Sequence, residues 1–147
     1  MDDCMSIVAL GLDLTQIERL AEAESRRGER FLERIFTERE RAYCERRAQR
    51  RHVHYAGRFA VKEAVMKALG TGWTRGVRWI DIEVVRASGG PPELHLHGAS
   101  AAIARERGID RWHVTITHDA GIAAAVVVAE AVSLHPGAPG SSPALSS

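Results

Sequence analysis

The 147-residue chain carries 20 Lys and Arg against 19 Asp and Glu, a formal net charge of +1. That length fits one domain able to bury a single core, and that charge excludes a globally polybasic nucleic-acid binder. Cys4 and Cys44 stand far apart and in no CxxC pattern, so neither a disulfide framework nor a thiolate zinc site is indicated.

Asp2 and Asp3 lie where a secretory leader would carry basic residues, and the longest apolar stretch, residues 121–129, is about half a membrane span. A protein of the reducing cytoplasm, with no membrane contact, is expected. In chain order, "SIVALGLDLT" (6–15) predicts a buried strand that meets a carboxylate at Asp13. Thr15 is expected to cap a helix from Gln16, with Glu18 completing a capping box. Thr37 and Glu40 repeat that signature ahead of "ERERAYCERRAQR", after the apolar and basic "RFLERIF". Between Arg26 and Arg51, ten arginines stand against five glutamates.

Residues 53–69 predict the most regular helix, since Ala60, Ala64, Ala68 and Val61, Val65, Leu69 recur at four-residue spacing, and Gly70 supplies a left-handed cap. "RWIDIEVVRA", the turn "GGPP" and "ELHLHG" predict a hairpin, and 99–107 a helix stopped by Gly108. "WHVTITHD" alternates as a strand, while the continuous apolar run "GIAAAVVVAEAV" predicts a strand at a sheet centre or covered on both faces. The pattern is α+β, a long central helix on a mostly antiparallel sheet. Residues 1–132 form the expected domain, and the Pro, Gly and Ser of 133–147 an expected disordered tail.

Asp13 at the end of an apolar strand and Glu63 inside an apolar helix are unusual positions for solvated carboxylates. Converging, they would make a hard oxygen site suited to Mg2+, which takes one or two carboxylates, keeps waters and accepts substrate phosphate oxygens. Arg58 and Lys62, four residues apart, and Lys67, one turn after Glu63, would offset a polyphosphate. Spacing alone also fits an ordinary Glu63–Lys67 helix ion pair, and Gly70-Thr71-Gly72 fits a plain helix stop.

Taken together, "GLDLTQIER", "FTERE", "GRFAVKEAVMKALGTG", "DIEV" followed by "GPPELHL", and "VTITHDAGIAAAVVV" resemble the holo-acyl-carrier-protein synthases, small bacterial 4′-phosphopantetheinyl transferases, from about residue 7 to 130. The resemblance implies that fold, and Mg2+-dependent transfer of phosphopantetheine from coenzyme A to a serine of an apo acyl carrier protein, with fatty-acid synthesis the natural setting and polyketide or peptide assembly lines the alternative. It implies Asp13 and Glu63 as metal ligands. Glu63, or a water it orients, is the candidate base, with Lys62 and Asp13 also catalytic. Arg58, Lys62, Lys67, Gly70, Thr71 and His118 are implied as coenzyme A contacts. Asp119 departs from the serine or threonine often found after that histidine.

The resemblance further implies a homotrimer with intersubunit sites and a first helix that docks the carrier, with Arg19 its most transferable residue, and a surface rich in Arg19, Arg26, Arg27 and Arg30 would steer an acidic carrier. The pairs His52/His54 and His95/His97 are not expected to bind zinc, because no further ligand converges on them. The alternative is a non-catalytic coenzyme A or carrier-protein binding module of the same fold.

Overall fold

The computed structural model describes residues 4–133. In chain order the elements are β1 (Cys4–Gln16), α1 (Ile17–Arg27), α2 (Glu29–Ile35), α3 (Glu38–Glu45), α4 (Arg51–Leu69), β2 (Ile82–Arg86), β3 (Pro92–Leu96), α5 (Gly98–Glu106), β4 (Arg111–Asp119) and β5 (Ile122–Ser133). Short 3-10 turns precede α4 at Ala48–Arg50 and β2 at Trp79–Asp81. The class is α+β as expected. The tail expected from 133 lies, beyond Ser133 itself, outside the described residues.

β5 is the centre of an antiparallel sheet ordered β1-β5-β4, and β2 and β3 form a separate hairpin. Its strand register sets Asp13 opposite Ala125 and His118 opposite Ala123. Alternate residues of β5, Ala123, Ala125, Val127 and Ala129, are buried under α4. On the other face Leu10, Leu12 and Leu14 stand opposite Val128, Val126 and Ala124 and are 64, 57 and 64 % exposed. Among the described residues the apolar run is therefore central in its sheet and covered on one face.

α4 lies close on the sheet because small residues face it. A Cβ at Gly11 would stand 1.9 Å from the carbonyl oxygen of Ala64, and one at Gly57 would meet Ile116 Cγ2 at 2.9 Å. Gly70 ends α4 in the left-handed region, its N–H donating to the carbonyls of Met66 and Lys67. One core gathers Ala60, Val61, Ala64, Val65 and Leu69 with Ile82, Ile103 and Val127, and a second joins Leu20, Leu32, Ile35 and Phe36 to Tyr55 and Ala56.

Thr37 and Glu40 form the expected capping box at α3. The one expected at α1 does not form, since Thr15 stays in β1 and its hydroxyl donates to Asp13 Oδ2 at 3.2 Å. The Ile17 N–H goes instead to the Gly121 carbonyl, 3.0 Å away, so the β4–β5 turn takes over part of the cap's work. The strand expected from Arg78 begins only at Ile82, because residues 79–81 coil tightly while Arg78 grips the Asp81 carboxylate through Nε and Nη2 at 2.9 Å.

Candidate active site

The helical period of α4 sorts its polar residues onto two stripes. Phe59, Glu63 and Lys67, four residues apart, look toward the end of β1 and α1, whereas Arg58 and Lys62 lie about 100° around the helix, under α3 and β2.

The first stripe meets Asp13. Asp13, Thr15, Arg19, Phe31, Phe59, Glu63 and Trp73 line one cavity of about 440 Å3. Lys67 Nζ donates to Asp13 Oδ1 at 3.0 Å and to the Leu12 carbonyl at 3.0 Å, and the Trp79 indole N–H donates to Glu63 Oε1 at 2.7 Å. Asp13 and Glu63 line this same cavity, and Lys67 is paired across to Asp13 rather than back along its own helix to Glu63. Among the described residues no group of three or more His, Cys, Asp and Glu is placed to hold a metal. A cation at Asp13 and Glu63 would complete its shell with water and substrate oxygens, which is the habit of magnesium rather than of zinc or calcium. The donor set fits Mg2+.

The second stripe is a correction to the sequence reading. Lys62 is 0 % exposed, and its ammonium donates to Glu40 Oε1 at 2.7 Å and to the carbonyls of Ile82 and Trp79 at 2.6 and 3.0 Å. All three protons are spent inside the core, so this side chain does not face a phosphate in the Asp13–Glu63 cavity. Burial lowers the pKa of Lys62 from its ordinary value, with the Glu40 carboxylate opposing that shift. Glu40 Oε2 accepts the Val84 N–H and Oε1 the Thr37 N–H, so this one acid ties the α3 cap to α4 and β2. Lys62 sits three residues before Val65 and seven before Leu69, on the core side of the helix.

Arg58 is likewise buried, its guanidinium 4.0 Å from the Tyr43 ring centroid and its Nε without a hydrogen-bond partner among the described residues. The Tyr43 ring it stacks on and His54, whose carbonyl it donates to, line a second, larger cavity of about 670 Å3 together with Arg46, Arg47, Arg50 and Arg86. Burial and the surrounding arginines, Arg58 first among them, push His54 down to about 4. His118 belongs with this basic group, since Arg50 Nη2 lies 2.7 Å from its Nε2. A guanidinium only donates, so that ring nitrogen accepts. His118 therefore does not join Asp13 and Glu63 in their cavity, but lies on the far side of β5 from β1. Asp119 is exposed at the end of β4.

Gly70 and Thr71 follow directly from the last turn of α4, where the Thr74 N–H and hydroxyl both return to the Thr71 carbonyl. Of the arginines expected at a docking face, Arg19 lines the Asp13–Glu63 cavity, Arg27 and Arg30 line an adjoining one with Arg34, Phe31, Trp73 and Trp79, and Arg26 reaches back to Glu22 at 3.5 Å. His97 meets Glu83 at 3.4 Å and His95 meets Glu93 at 3.6 Å, as separate pairs. The sequence reading missed the aromatic side chains Phe31, Phe59, Trp73 and Trp79. The one available signal was that two of the chain's three tryptophans stand in the short segment just after Gly72.

Residues 9–126 match the family described as the 4′-phosphopantetheinyl transferase superfamily. The chain is 50 % identical over 127 residues to a holo-(acyl-carrier-protein) synthase of Anaeromyxobacter sp. (strain K), covering 84 % of this chain and 96 % of the relative. Among solved structures, the holo-(acyl-carrier-protein) synthase of Neisseria meningitidis is similar with a TM-score of 0.76 at 30 % identity, over 84 % of this chain and 98 % of that one. The Chronobacterium ammoniagenes ACPS–CoA complex matches with a TM-score of 0.71 at 33 % identity, over 86 % and 96 %. Fold, motif order and near full-length identity agree: the chain belongs to the 4′-phosphopantetheinyl transferase superfamily.

Proposed function

We propose that this protein is a holo-acyl-carrier-protein synthase that moves 4′-phosphopantetheine from coenzyme A to a serine of apo acyl carrier protein. The observation that carries the reading is the shared cavity of Asp13 and Glu63, lined also by Arg19, Phe59 and Trp73, in a chain 50 % identical to a synthase of that name. The serine oxygen forms a bond to the β-phosphorus of coenzyme A while the bridging P–O bond to the nucleotide breaks, releasing adenosine 3′,5′-bisphosphate. The serine proton passes to Glu63, directly or through a water it orients. Asp13 and Glu63 would hold Mg2+, which when bound offsets charge on the phosphate oxygens. Lys67, held 3.0 Å from Asp13 and 57 % exposed, is the cation at hand for the diphosphate, in place of the buried Lys62.

Arg50, His118 and the neighbouring basic cavity suit the nucleotide end of coenzyme A and its 3′-phosphate. The exposed leucine face of β1, continuous with Val126 on β5, supports a homotrimer in which one chain's His118 serves a neighbour's Asp13 and Glu63. Arg19, Arg27 and Arg30 supply positive charge around the cavity mouth for an acidic carrier.

The test is to incubate the protein with coenzyme A, Mg2+ and apo carrier and to weigh the carrier. A gain of one phosphopantetheine mass with matching release of adenosine 3′,5′-bisphosphate is expected. Coenzyme A binding without any gain on several carriers would leave a binding module of the same fold.

A further inference from the structure

The geometry points to Trp79 as a positioning residue for Glu63: its indole N–H holds Oε1 and so fixes the orientation in which Oε2 is offered to the metal, an inference that rests on the metal reading above. Trp79 Nε1 lies 2.7 Å from Glu63 Oε1, while the same residue's carbonyl accepts from Lys62 Nζ at 3.0 Å. One residue therefore grips two successive positions of α4, the cavity carboxylate by its side chain and the buried ammonium by its backbone. Among the described residues that indole is the only hydrogen-bond partner of the Glu63 carboxylate.

Trp79 is itself held. Its ring packs tilted against Phe59 at 5.9 Å and edge-to-face against Trp73, and the 3-10 turn that carries it leads straight into β2. A glutamate on a helix otherwise samples several rotamers, and its carboxylate rotates about a broad terminal torsion. A neutral N–H donor held by packing removes that freedom while leaving the carboxylate its charge. This is the arrangement by which an outer partner orients a metal ligand, and losing such a partner costs about 10- to 100-fold in metal affinity.

The test compares wild type with Trp79→Phe, which keeps an aromatic ring and loses the N–H, and with Trp79→His. The His Nε2 occupies the same place in its five-membered ring as indole Nε1, so it can restore the donor. Mn2+ binding in the presence of coenzyme A is read by electron paramagnetic resonance of the free ion, and the Mg2+ concentration for half-maximal transfer is read separately. Trp79→Phe is expected to weaken both by about 10- to 100-fold, with transfer recovering at high Mg2+, and Trp79→His is expected to regain part of the loss. Unchanged metal affinity in a folded Trp79→Phe protein overturns the inference, as does a fall in transfer that Mg2+ does not rescue. Should Trp79→Phe not fold, a folded Trp79→His with wild-type metal binding supports the inference and one with weakened binding overturns it. If wild type itself transfers nothing, the reading beneath fails first.

Discussion

Replacing Lys62 with Met separates a structural lysine from a catalytic one. Lys62 and Glu40 are both 0 % exposed in their side chains and 2.7 Å apart, so the substitution leaves a buried carboxylate without its counter-charge. Breaking a buried pair from one side costs about 3–5 kcal/mol. Glu40 keeps two backbone donors, from Thr37 and Val84, which argues for the lower end, about 3 kcal/mol. With a urea slope of about 2 kcal/mol per molar, the unfolding midpoint should fall by about 1.5 M, measured at fixed protomer concentration. The folded fraction should keep its kcat to within about threefold, because no step of the transfer is assigned to this ammonium. Full stability with a hundredfold loss of kcat would refute the reasoning and return Lys62 to the phosphates.

Gly11→Ala should fail to accumulate as folded protein, because the added methyl would stand 1.9 Å from a helix carbonyl, and circular dichroism with solubility checks this. Mixing Asp13→Ala with His118→Ala subunits and letting them exchange should restore about a quarter of wild-type transfer if each site draws on two chains at random, and none if each site lies within one chain. His54, held down to about 4, binds its proton more readily in the unfolded chain, so it costs stability as pH falls from its ordinary value through that range. His54→Gln should therefore flatten the acid limb of a melting-temperature profile. Burial pushes the Cys44 thiol up to about 12, so a thiol reagent at pH 8 should leave it unmodified until denaturant is added, as peptide mass mapping would show.

The elements were readable where local chemistry and tertiary packing agree. The α3 cap, the α4 period with its Gly70 stop, and the central position of the apolar strand all follow from residue pattern. Asp13 and Glu63 were readable for the same reason, as acids set into apolar elements that then face one cavity. Lys62 shows in the sequence as a cation beside Glu63, while its helical phase places it with the core. Its place in line with Val65 and Leu69 put it in the core, but the partner that makes such burial tolerable, Glu40, is 22 residues away and nothing local announces it. Thr15 was misread because a backbone partner from the β4–β5 turn took over part of the cap's work. The aromatic wall was missed since Phe31, Phe59 and Trp73 come from three segments that only the fold brings together.

The central claim, that Asp13 and Glu63 act as one metal-holding unit for transfer, is tested most directly by the Mg2+ dependence of carrier phosphopantetheinylation in Asp13→Ala, Glu63→Ala and the double variant. The account predicts that each single change removes metal-dependent transfer about as fully as both together, since groups that work as a unit are not additive. Two independent partial losses that multiply in the double variant, with the Mg2+ requirement unchanged in each, would contradict it.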